Sequence, residues 1–162
     1  RWELLKNDLG DIELFGENLY AVHSIEYKRL ETHFYVFAVR CLDKWLSWEE
    51  VKFYAALFDL PTVPELCTEQ VNGLTAETLK QHVICLAGES SVFGSRDALT
   101  GMDCTREGVV TRNTGEYLTA DFARNVFKYV RQGHVQTDEH WTRHWKRARL
   151  VWESKQEKGG NE

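Results

Sequence analysis

The chain has 162 residues, 43% hydrophobic and 28% charged, with a formal net charge of −5, enough for one sizeable core and with nothing arguing for two. No run of about 18 apolar residues is available to span a bilayer, and no charged start leads into an apolar signal segment, which weighs little in a chain that begins RWELLKND without an initiator methionine. The acidity is uneven: from Arg124 to Arg149 seven basic residues (Arg124, Lys128, Arg131, Arg143, Lys146, Arg147, Arg149) meet two acidic ones, Asp138 and Glu139, so that segment carries +5 and the remainder −10. Such an asymmetry suits a polyanion held at one place, and a solvated helix face produces the same pattern.

In chain order, residues 1–9 read as the end of a helix stopped by Gly10 and Asp11. Residues 12–15 and 34–39 are β-branched and aromatic without helical spacing, and read as two strands joined by a polar, charged link. Alternation on the second strand sends Tyr35 and Phe37 to one face and Phe34, Val36 and Ala38 to the other. Aromatics on a strand are ordinarily core, but one such face could also offer a ring to a base. Glu17 follows Gly16, where glycine lets the backbone approach a ligand and a carboxylate could meet a ribose hydroxyl or a metal.

Ser47 is an expected N-cap, with Glu49 and Glu50 in the first turn and Val51, Tyr54, Ala55 and Phe58 on one helix face, closed by Pro61 and Pro64. Residues 62–67 are a short extended piece, and a second helix over 75–86 is capped by Thr75, with Leu79, Val83 and Leu86 as its apolar face. Residues 87–105, rich in Gly, Ser and Asp, read as a loop or loose hairpin; their GESSVFGS lacks the Lys-Ser/Thr ending of a phosphate loop. REGVVTR, residues 106–112, sets an acid and a glycine before a β-branched strand, and another strand is centred on 127–130. A last helix is expected from Thr137 or Asp138, with Trp141, Trp145, Ala148 and Trp152 packed inward and Arg143, Lys146, Arg147 and Arg149 on its exposed face. Residues 155–162 read as a disordered tail. The class is α+β with mainly antiparallel sheets and flanking helices.

The four cysteines, Cys41, Cys67, Cys85 and Cys104, lie far apart without a CxxC pair. That spacing argues against a zinc site and for reduced thiols in a cytoplasmic setting, and the cysteines are expected to be mostly buried. His140 and His144 have the spacing of a metal pair, but no third ligand stands at a useful interval and their tryptophan neighbours suggest packing.

The order of the pieces says more than any one of them. FGENLYAVHSIEY, HFYVFAV, EGVVTR and FKYVRQGHVQTDEHW, from Glu13 to about Trp141, resemble in order and rough spacing the later signature motifs of the ATP-dependent RNA ligase family of covalent nucleotidyltransferases. The resemblance implies residues 1–154 as the C-terminal part of a nucleotidyltransferase (ATP-grasp-like) ligase domain. It also implies ATP and Mg²⁺ (or Mn²⁺) as cofactors and RNA ends, in a nicked duplex or a broken loop, as substrate. The family joins 5′-phosphate to 3′-hydroxyl ends through lysyl-AMP and RNA-adenylate.

Carried across residue by residue, Glu17 resembles the acid at the nucleotide ribose and Phe37 the ring that stacks on adenine. Glu107 resembles the acid near the catalytic metal, Arg112 stands where the family often has a basic residue, and Lys128 and Arg131 resemble the basic residues that meet the triphosphate. Glu17, Glu107 and Lys128 are thereby the implied catalytic residues, and Glu17, Phe37, Glu107 and Lys128 are expected to converge on one nucleotide. Such chemistry is mainly positioning and charge neutralisation. Ala38 departs from the pattern where many relatives have an acid, and Lys-Tyr-Val-Arg replaces a tighter Lys-x-Lys. No KxDG-like tetrapeptide carries a nucleophilic lysine, since Lys6 in KNDLG has the wrong spacing; that motif is expected upstream, leaving this chain unable to adenylylate itself. The rivals are a DNA ligase or capping-type nucleotidyltransferase and, from another class, a non-catalytic nucleic-acid-binding module derived from the same fold.

Overall fold

The computed structural model describes residues 10–131 and 146–153. These residues form several small antiparallel sheets with few helices, the α+β class expected. They divide into two compact units, residues 10–18, 34–63 and 111–127 in one, and residues 19–33, 64–110, 128–131 and 146–153 in the other.

The first unit is built on β1 (Ile12–Asn18) and β4 (Phe34–Cys41), extended by β5 (Lys44–Trp45) and β8 (Tyr117–Leu118) into a sheet of order β1-β4-β5-β8. One face carries Val36 and Val39, which pack with Leu46, Trp48, Val51 and Ala55. The last three belong to helix α1 (Trp48–Leu57). That helix begins where expected: the Ser47 hydroxyl accepts from the Glu50 N–H, and the Glu50 carboxylate accepts from the Ser47 N–H at 2.9 Å, a reciprocal cap that satisfies two donors a helix start otherwise leaves open. On the other face Ala38, Trp45 and Tyr117 form a second cluster with Phe15 and Val126. A 3₁₀ turn, Thr119–Asp121, and the short helix α3 (Phe122–Asn125) close the unit.

The second unit has two-stranded ribbons. β3 (Ile25–Tyr27) pairs with β6 (Ser95–Asp97), and β2 (Ala21–Val22) pairs with β10 (Lys146–Arg147). Helix α2 (Ala76–Ala87) starts on Thr75, as its sequence predicts, but only Ala87 in it is buried. The expected last helix is corrected at 146–150: Lys146 and Arg147 are strand residues, and helix appears only at 151–153. Trp152 is 51% exposed instead of packed inward, and the basic residues are engaged in ion pairs, Lys146 with Glu26 and Arg147 with Glu153. Residues 1–9, 132–145 and the tail, with His140, Trp141, Arg143, His144 and Trp145, lie outside the described residues.

The cysteines also depart from expectation, since Cys67 and Cys85 are exposed and Cys41 and Cys104 only half-buried. No helix among the described residues is long and apolar enough to cross a membrane. β7 (Gly108–Arg112) and β9 (Val126–Val130) pair with each other. In the first unit the Asn113 N–H donates to the Asn125 carbonyl, and in the second the Arg131 N–H donates to the Glu107 carbonyl.

Candidate functional site

The β1–β4 register holds the main departure from simple alternation. Phe15 pairs with Ala38 but Gly16 pairs with Val36, so Phe37 is an extra residue on β4 with no opposite number on β1. A residue bulged out of an antiparallel pair bends the strand and re-aims its side chain, a device frequent beside active sites. Here the bulge resets the alternation. Val36 and Val39 share one core, Ala38 belongs to the other, and Phe37, 40% exposed, belongs to neither. The expectation that Ala38 shares a face with Val36 is therefore corrected, the physical reason being one inserted residue. Phe37 is the only exposed residue in β4, whose neighbours on either side are buried.

Removing a residue from the ladder leaves its carbonyl seeking a donor, and Arg112 supplies it. Its Nη1 donates to the Phe37 carbonyl (3.1 Å), Nη2 to the Leu46 carbonyl (2.9 Å) and Nε to the Asn113 carbonyl (3.1 Å). The guanidinium also lies 5.7 Å from the Trp48 ring centroid and 5.9 Å from that of Tyr117. Burial draws it below the ordinary arginine value, yet a guanidinium keeps its charge in proteins. Bonded in this way, Arg112 is a clamp on the bulge, a role its place in EGVVTR does not disclose.

Gly16 also acts differently from expectation. A Cβ there would lie 2.7 Å from the Tyr35 carbonyl and closer still to the Phe34 ring, so the group that approaches this glycine is the aromatic side chain across the strand pair. Glu17 is exposed and pairs in register with Tyr35. Regular alternation along β1 puts Glu17 on the face of Phe15, opposite Gly16. No described side chain is bonded to its carboxylate. Sequence reading missed Arg40 on that same face. Its guanidinium pairs with Glu13 and stacks over Phe15 and Trp45, at 5.4 and 5.6 Å from the ring centroids. The alternating pattern of β4 could have flagged it as an arginine inside an aromatic strand.

In the second unit, Glu107 is half-buried and its carbonyl accepts from the Arg131 N–H at 2.9 Å. Gly108 is required next to it, because a Cβ there would collide with the Tyr129 carbonyl of β9. The neighbouring Arg106 turns to the end of α2, donating to the Leu86 carbonyl and to Glu89. Lys128 is exposed on β9, Arg131 half-buried just beyond it. Phe127 is exposed as well, so β9 does not have the buried and solvated faces its alternation suggests. A carboxylate oxygen such as that of Glu107 is the donor type that Mg²⁺ or Mn²⁺ prefers, and an exposed ammonium such as that of Lys128 is one a phosphate can meet. Thus the structure places Glu17, Phe37 and Arg112 in the first unit and Glu107, Lys128 and Arg131 in the second.

The family model described as RNA ligase matches residues 1–130. No curated protein and no solved structure gives a match.

Proposed function

The chain belongs to the RNA ligase family, and on that premise we propose that it supplies the nucleotide-holding part of an ATP-dependent reaction sealing 5′-phosphate and 3′-hydroxyl RNA ends. The observation that carries this reading is the bulge at Phe37. An aromatic ring brought to the surface between buried neighbours on its own strand, its carbonyl clamped by Arg112, is an arrangement with no packing purpose of its own. We assign Phe37 to the adenine face and the exposed carboxylate of Glu17 to the ribose hydroxyls. Glu107 would hold Mg²⁺ or Mn²⁺, which when bound neutralises phosphate charge. Lys128 and Arg131 would hold the phosphates themselves, while Arg112 positions the ring. No lysine here stands in a KxDG-like setting, so bound ATP is not expected to become covalently attached to this chain.

Calorimetric titration of the chain with ATP and Mg²⁺ tests the reading. Stacking of a base on an aromatic ring contributes about 1–3 kcal/mol, so Phe37→Ala should raise the Kd about 5- to 150-fold. Phe37→Trp should preserve binding. Equal affinity of wild type and Phe37→Ala would remove Phe37 from the nucleotide site and leave the bulge unexplained.

A further inference from the structure

Residues 65–78 are all exposed, and before α2 begins they contain only a turn closed by the Leu74 N–H to Val71 carbonyl bond. A stretch that buries so little apolar surface needs another source of order to hold one conformation. The side chains that meet there are of an unusual mixture. Cys67 Sγ, a Glu69 carboxylate oxygen and a ring nitrogen of His82, the last from α2, all lie within 4.8 Å of one another. The His82 Nδ1 is 3.3 Å from Glu69 Oε2.

A thiol, an imidazole and a carboxylate are the three protein donors that zinc takes, and tetrahedral bonds of about 2.0–2.3 Å place neighbouring donor atoms roughly 3.3–3.6 Å apart. The Glu69–His82 edge already has that length, and the two edges to Cys67 Sγ, each within 4.8 Å, need to shorten by no more than about 1.5 Å. We propose that Cys67, Glu69 and His82 bind a zinc-type divalent cation, with water as the fourth ligand, and thereby fasten the segment before α2 to that helix. The expectation from cysteine spacing excluded zinc because it looked for paired thiols, whereas this set draws one ligand of each kind from two separate stretches.

The electrostatic surroundings favour a cation. Glu69, Glu65 and Glu89 all act on the Cys67 thiol through their negative charge. The same carboxylates that oppose a bare thiolate attract a dication, whose binding displaces the thiol proton. The set lies wholly in the second unit and shares no residue with the proposed nucleotide site.

Titration of the full chain with Co²⁺ under reducing conditions tests the site. We expect a 1:1 complex showing visible ligand-field bands and a thiolate-to-cobalt charge-transfer band, both lost when Zn²⁺ displaces the cobalt. Cys67→Ser should abolish the charge-transfer band, and His82→Ala should weaken binding by about tenfold or more. Alkylation of the wild-type chain, mapped residue by residue, gives a reading that does not depend on any variant folding. Zn²⁺ should slow modification of Cys67 while leaving the exposed Cys85 unchanged, and a chelator should restore the rate. Absence of a 1:1 complex, an unaltered spectrum in Cys67→Ser, or equal Cys67 alkylation with and without Zn²⁺ would each overturn the proposal.

Discussion

Ten of the fifteen buried apolar side chains among the described residues lie in the first unit, five in the second. The first unit folds around a sheet with an apolar cluster on each face, one beneath α1 and one around Trp45 and Tyr117. The second joins distant stretches with polar ties: Lys28 to Asp103, Lys146 to Glu26, Arg29 to the Val92 carbonyl, Arg106 to the Leu86 carbonyl and Ser95 Oγ to the Cys104 carbonyl. Apolar burial is non-directional and forgiving, whereas polar ties act only at defined geometry, and exposed ones contribute little to stability. The first unit is accordingly the place to mount a fixed ring such as Phe37, and the second the place where an added cross-link would matter most.

The largest effect should come from breaking the first unit's core. Trp48, 8% exposed, fills the cluster under the sheet, lies against Arg112 and anchors its backbone N–H on the Thr114 carbonyl at 2.8 Å. Trp48→Ala should cost about 3–5 kcal/mol, read as a fall in the denaturant midpoint. A loss within experimental error would show that the apolar clusters do not dominate that unit, and the contrast would fail.

Arg112 sharpens the contrast, being a polar tie inside the apolar unit. Hydrogen bonds from a charged donor are stronger than neutral ones, and removal leaves the part-buried Leu46 carbonyl without its donor, so Arg112→Ala should cost about 1–3 kcal/mol. Arg112→Lys should recover less than half of this, because one ammonium cannot span three carbonyls that a planar fork reaches. ATP affinity should fall in both variants in step with stability, as a residue acting through Phe37 requires. A loss of affinity with full stability in Arg112→Ala would instead make Arg112 a direct phosphate contact.

The same contrast explains what could be read in the chain beforehand. Strands β1, β4, β7 and β9 and both N-caps, Ser47 and Thr75, were legible because each depends on a local signal, β-branched runs or a hydroxyl before a helical pattern. The bulge was not, because whether Phe37 has a partner is a property of the register between two strands, and either strand alone alternates acceptably. Arg112 as a clamp follows from the bulge and was hidden with it. The last helix fails at 146–150 for a different reason: local spacing continues the helical pattern through Ala148 and Trp152, but Lys146 and Arg147 pair with Val22 and Ala21, and tertiary pairing outweighs local spacing. The Cys67 set was invisible because no fixed interval in sequence links it to His82.

The smallest expected effect concerns a turn in the second unit, and it separates charge from shape. The Asp97 carboxylate accepts from the backbone N–H groups of Thr100 and Leu99 and from the Thr100 hydroxyl, at 2.6, 3.1 and 2.9 Å. The bonds from Thr100 come first in holding this carboxyl below the usual aspartate value. A group whose folded value is depressed adds stability that is fully present above its unfolded value, near 3.9, and is lost as pH falls through the lower folded value. Melting temperature should therefore decline on acidification below about pH 4 by more than in Asp97→Asn. The amide oxygen still accepts these bonds but has no charge to neutralise, so that variant should be less stable at neutral pH and flatter with acid. In the first unit Glu50 is depressed likewise, chiefly by Ser47, so Glu50→Gln should flatten its own share of the acid response. The two variants together partition acid sensitivity between the units. A response removed wholly by Glu50→Gln and untouched by Asp97→Asn would mean that the second unit's turns do not depend on their charges, which would undo the claim that polar ties hold it.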